Sequence, residues 1–318
     1  MIDFRYHLVS IVAIFLALAL GIVLGSTTLS DSVSDTLRQQ ANQAAKTAQQ
    51  ARTQQRQLQE QVNGQEQFAA VLSPQIVAGR LKGQSVVMVE APGAGDDSIE
   101  QISELAKNAG AAVTGRVTIQ KKLLDDDQQM TLEELATQLK TDDVEFRGDA
   151  NAYDKAGAVL AAALVTKDPD RSGREDAASG AVLNGFKEAG YITATGKPGQ
   201  HATLAVVVGP ATPYAYEGGG DDNEALISLA AALDAAGRGT VVGGPSTSAQ
   251  EGGLIAALRD SEAGERVSTV DVVDTPSGQV VTILALQNEM GGKTGQYGTG
   301  AGASGYLPSP APTAGKNG

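Results

Sequence analysis

Residues 8–24 read LVSIVAIFLALALGIVL, a run whose one polar side chain is Ser10. Wound as a helix at about 1.5 Å per residue, the run rises roughly 26 Å, the low end of a bilayer core. Gly25 and Ser26 lengthen it slightly. Arg5 precedes the run, Asp31 and Asp35 follow it, and the nearest base beyond is Arg38. That asymmetry predicts a cytoplasmic amino terminus (residues 1–7), a transmembrane signal anchor (8–26) and an extracytoplasmic remainder in the cell membrane. A cleaved signal peptide is the competing reading, with Val23 and Gly25 as small-residue cleavage positions. The length of the run and the lack of an A-x-A site after it favour a retained, single-pass anchor. Ala13, Ala17, Gly21 and Gly25 recur every fourth residue along this helix. Such a stripe lets two backbones approach closely in lipid and predicts a transmembrane dimer face.

Outward from the anchor, residues 27–72 read as a stalk. From 37 to 66 it is dominated by Gln, Ala and Arg. A heptad fits, with Ala41, Ala48, Gln55 and Val62 at a and Leu37, Ala44, Ala51 and Leu58 at d. An apolar seam in an otherwise polar helix is a coiled-coil signature and predicts a homodimer. Its alanines allow close packing but little buried area, so a weak dimer is expected.

Composition narrows the chemistry. The 318 residues contain no Cys and two His, which removes thiolate catalysis, Cys-ligated zinc, iron–sulfur clusters and disulfides. The formal net charge of -13 argues against binding nucleic acid through its phosphates. Residues 73–292 hold 32 acids and 17 bases, so the charge is concentrated there.

That acidic segment, 73–290, alternates short β-branched runs with amphipathic helices. Strands are expected at 86–89, 112–119, 204–208, 240–242 and 269–273. Capping boxes opening helices are expected at Ser98–Gln101, Thr131–Glu134 and Ser172–Glu175. The helix after Asp222 places Leu226, Leu229, Ala230 and Leu233 on one face. Wholly apolar strands separated by helices imply a mainly parallel sheet covered on both faces, a Rossmann-like three-layer α/β domain. Residues 291–318 are Gly-, Ser- and Pro-rich and are expected to be a disordered tail.

Within the domain, Gly93 and Gly95 open a G-x-G pattern, but Ser98 occupies the third glycine's place. Asp96 and Asp97 would repel a pyrophosphate there, so no nucleotide is expected. Gly243, Gly244, Ser246, Thr247 and Ser248 follow a strand, where α/β sheets place ligands. They form a candidate loop for a small polar ligand or a partner peptide; a helix entry capped by Ser or Thr is the alternative. His201 stands alone in its loop, and neither a G-x-S-x-G elbow nor an H-E-x-x-H helix is present, so no catalytic residue is assigned. The acidic runs at Asp125–Asp127, Asp142–Glu145 and Asp221–Glu224 lack EF-hand spacing and read as solvated surface.

The opening MIDFRYHLVSIVAIFLALALGIVLGSTTL carries Arg5, His7, Val9, Ser10, Phe15, Leu16, Ala17, Leu18, Ala19, Gly21, Leu24, Gly25 and Ser26. With the Gln/Ala-rich helix and acidic α/β domain behind it, the chain resembles the mycobacterial copper transport protein B (MctB) family. The resemblance implies a part in copper efflux and homeostasis, in a family described as pore-forming in the cell envelope. It extends to the related SteB-like actinobacterial proteins, which implies the alternative of a coiled-coil dimer that recruits or activates a peptidoglycan hydrolase in cell division. Copper is implied only by that likeness. Cu(I) favours sulfur and then imidazole, and the chain offers the widely spaced Met1, Met88, Met130 and Met290 with His7 and His201. No cofactor is evident from the residues, and the metal site stays unknown. Nor does the sequence hold the alternating ten-residue strands of an outer-membrane barrel.

Overall fold

The computed structural model describes residues 4–214 and 221–309, the side chains of 26–36 and 221–222 excepted. The chain forms two compact units, residues 1–65 and 66–318.

In the first unit, α1 (Phe4–Val77, which continues into the second unit) begins with an apolar stretch, Phe4–Gly25. Its most apolar 18 residues have a mean hydropathy of 2.9, and the 22-residue stretch is long and apolar enough to cross a membrane. Ala13, Ala17 and Gly21 are exposed along it, and a Cβ added at Gly21 or Gly25 would meet nothing within 4 Å. The stalk seam is likewise open in the single chain, with Leu37, Leu58 and Val62 in solvent. The helix does not stop at residue 72. It runs through Pro74 to Val77, and Pro74, which has no N–H, leaves the Ala70 carbonyl without its intrahelical partner one turn before the end.

The second unit holds a seven-stranded sheet, β1 (Ser85–Glu90), β2 (Ala112–Ile119), β3 (Ile192–Gly196), β4 (Leu204–Val208), β5 (Thr240–Gly243), β6 (Ser268–Val270) and β7 (Gln296–Tyr297). The order is β3-β2-β1-β4-β5-β6-β7, and every pair is parallel except β2 with β3. Around it lie α2 (Asp96–Asn108), α3 (Lys121–Leu124), α4 (Gln129–Leu139), α5 (Ala152–Leu164), α6 (Ala177–Glu188), α7 (Asp221–Ala236), α8 (Leu254–Arg259) and α9 (Pro276–Met290). Successive side chains of a strand point to opposite faces. Val87, Val89, Ala205, Val207 and Val242 pack with α4 to α8, while Val86, Met88, Leu204, Val206 and Val241 pack with α2 and α9. Both faces are therefore apolar, which is why β1 and β4 are buried at every position.

The predicted strand at 269–273 ends at Val270, where Asp271 turns inward. β3 and β7 were not anticipated. The predicted capping boxes are also replaced. α2 starts behind Gly95 and α4 behind Gln128, neither with a side-chain cap, and α6 starts behind Asp176, whose side chain accepts the Ser179 N–H. Among the described residues, the capping box is Asn151 with Asp154 at the head of α5. Finally, residues 291–309 are not a disordered tail: 296–297 join the sheet as β7, and Gly305 bridges Tyr297. Residues 310–318 lie outside the described residues.

Candidate functional site

Parallel strands deliver ligand sites at their carboxyl ends, where strand order reverses, here between β1 and β4. Glu90 closes β1 and is 7% exposed. Its carboxylate accepts Arg116 Nε at 2.7 Å and Thr118 Oγ1 at 2.6 Å, and Arg116 also pairs with Asp96. The carboxylate at this edge is satisfied by its own sheet.

The glycine loop after β5 is equally closed. A Cβ at Gly243 would lie 2.5 Å from Val273 Cγ1, and one at Gly244 would lie 2.4 Å from Ser248 Oγ. Gly244 N–H donates to Val270 O at 2.9 Å, Ser248 Oγ to Pro245 O at 2.6 Å, and Thr247 Oγ1 to Ala211 O. The segment is a single 3-10 turn, Ser246–Ala249, behind Pro245 and without a side-chain cap. Ser246 and Thr247 reach solvent, while Gly243, Gly244 and Ser248 are buried.

At the end of β6 lies a pair that sequence reading missed. Asp271 is fully buried and meets Arg259 at 2.9 Å. The carboxylate also accepts the N–H groups of Thr299 at 2.8 Å and Gly300 at 3.0 Å. Arg259 donates to Thr269 Oγ1, Tyr297 O and Ala301 O. Gly298, at φ +128°, passes so close that a Cβ would sit 2.0 Å from Asp271 Oδ1. Gly298-Thr299-Gly300, downstream of a buried acid, was the available signal.

His201 adopts φ +24° and is 1% exposed. Its Nδ1 is 2.8 Å from Arg174 O, and its Nε2 is 3.0 Å from Ser179 Oγ and 3.1 Å from Arg171 Nη2. Ser179 and Asp176 thus join His201, but Ser179 is itself buried. The Ser179 N–H and hydroxyl, with Arg171, hold the Asp176 carboxyl down at about 2. His201 and Ser179 are thus buried within the cap of α6, while Asp176 itself reaches solvent.

At the opposite edge of the sheet, Glu289 is buried against Ser268, accepting its N–H at 3.0 Å and its hydroxyl. Burial, with the nearby Asp234 charge adding to it, raises the Glu289 carboxyl to about 7.

Of the copper donors, Met88 is sealed inside β1 and Met290 packs against the α2–α9 face, while Met130 stands in solvent. Among the described residues, no three His, Asp or Glu side chains converge on a metal-sized site.

Comparison with known proteins places the chain. Residues 1–308 match the family model described as "Copper transport outer membrane protein, MctB". The chain belongs to the MctB family. It is 32% identical over 317 residues to the protein named Copper transporter MctB of Mycobacterium tuberculosis (strain H37Rv), covering 95% of this chain and 98% of that one. The match to the same-named protein of Mycobacterium bovis is equal in identity and coverage. The Mycobacterium leprae protein of that name is 33% identical over 245 residues, covering 72% and 75% of the two chains. In this MctB-family chain the interior of the sheet is covered by helices on both faces, so its apolar strand residues face protein.

Proposed function

We propose that the chain is a single-pass envelope protein that serves copper homeostasis through contacts its head makes with other envelope proteins. Its amino terminus lies in the cytoplasm, with Arg5 ahead of the apolar run and Asp31 and Asp35 behind it. Two copies pair in parallel through residues 37–62, covering Leu37, Leu58 and Val62. The observation that carries the copper role is the match over residues 1–308 to a family named for copper transport. Two observations support an indirect role. Both ring nitrogens of His201 are engaged within α6's cap, and Met88 is closed in the core. A Cu(I) site wants several soft donors together.

Deleting the gene in its own cell and measuring cellular copper by mass spectrometry tests this. Copper should rise, and the full chain should restore it. A head released from the membrane should not. Copper content unchanged by the deletion would overturn the copper role.

A further inference from the structure

The last turns of α1 hold a short apolar ridge in water: Val71 is 76% exposed, with the exposed Pro74 following. Beside this ridge runs a groove of about 270 Å³ between α1, α2 and α9. Ala70 and Pro74 form one wall, and Glu104, Leu105 and Asn108 form the other. Helical spacing sets Asp97, Gln101, Glu104 and Asn108 on one face of α2, with Glu100 next to it. Asp97, Glu100 and Glu104 are exposed, and among the described residues none of the three pairs with a base. The one cation on α2 is Lys107.

Pro74 and Leu105 give the groove apolar walls, Glu104 lines it, and the exposed Asp97 and Glu100 stand on α2 near it; the complement of such an amphipathic surface is a helix with an apolar stripe and basic flanks. The volume is below that of a drug-sized ligand pocket, whereas a few side chains of a docked helix would fill it. We propose that this groove docks a basic amphipathic helix of another envelope protein. The apolar stripe of that helix lies on Val71, Pro74 and Leu105, and its Lys or Arg side chains meet Glu100 and Glu104. The assignment rests on the head acting as a contact surface and gives the chemistry of its partner.

The test uses the full chain in phosphatidylcholine nanodiscs, with empty discs subtracted. The probe is a fluorescein-labelled 18-residue Leu/Lys amphipathic helix, followed by anisotropy. Saturable binding is expected, weakened at least tenfold by Val71→Ser and by Glu104→Lys. The distant control Asp127→Asn should leave it unchanged. A Leu/Glu peptide should not bind until Glu100 and Glu104 are both changed to Lys. Binding insensitive to Val71→Ser and Glu104→Lys, or equally lost with Asp127→Asn, would overturn the proposal. So would a Glu104-dependent doubling of mass without peptide, which would give the groove to a second copy. A tenfold gain on removing residues 310–318 would likewise overturn it, as the groove would then be filled by the chain itself. A failed titration leaves the cellular copper measurement to decide the copper role separately.

Discussion

Arg259 and Asp271 form an ion pair 2.9 Å long with both side chains sealed from solvent, and between them they hold the backbone of residues 297–301. Removing one member strands a buried charge. Arg259→Met should therefore cost about 3–5 kcal/mol in urea unfolding. Truncation after Gly292 should lower the melting temperature by several degrees for the same reason. A truncated chain that melts with the wild type would show that the clamp contributes nothing.

Glu289 gives the head a pH dependence of definite sign. Its folded carboxyl titrates near 7 rather than at its ordinary 4.5, so the folded state binds this proton more tightly than the unfolded chain does. The associated stability is fully present below about pH 4.5 and is lost as pH rises through 7. The loss is at most about 3 kcal/mol, from about 1.36 kcal/mol per unit. Urea midpoints at pH 5 and 8.5 should differ in the wild type, and Glu289→Gln should reduce the difference. An equal pH slope in the variant would assign the effect to another group.

Gly243 decides whether the loop after β5 is packed or open. With Val273 Cγ1 2.5 Å from the position of an added Cβ, Gly243→Ala should destabilise the head by about 1–3 kcal/mol in thermal unfolding. A neutral substitution would mean that the loop has room for a ligand after all.

The stalk seam is tested by charge. Ala44→Glu with Ala51→Glu places like charges across a parallel pair at two d positions and should halve the mass seen by light scattering of the detergent-solubilised protein. An unchanged mass would refute pairing through this seam.

The parts of this fold that sequence reading recovered are those that local pattern specifies. β1, β4 and the core stripe of α7 were placed correctly because strands buried on both faces are continuous apolar runs and helix faces repeat at 3.6 residues. β3 was missed because ITATG is an antiparallel edge strand with both threonines exposed, and its composition carries little apolar signal. The glycines after Met290 read as disorder because what orders them lies elsewhere in the chain, in Arg259 and Asp271. Ser98 and Thr131 matched a capping pattern, yet Gly95 and Gln128 hold the helix starts, since the pattern says nothing of where tertiary packing lets the helix begin. Among the candidate residues, Gly243 and Gly244 were recognised as special, but the cause is close packing against Val273 and Ser248.

The most direct test of the account is a Cu(I) competition titration of the full chain in detergent against a high-affinity chelator. A head that acts through protein contacts should leave the chelator's copper in place at every protein concentration. One equivalent of copper retained per chain or per dimer against the chelator would contradict the account and require a donor set built by the protein itself.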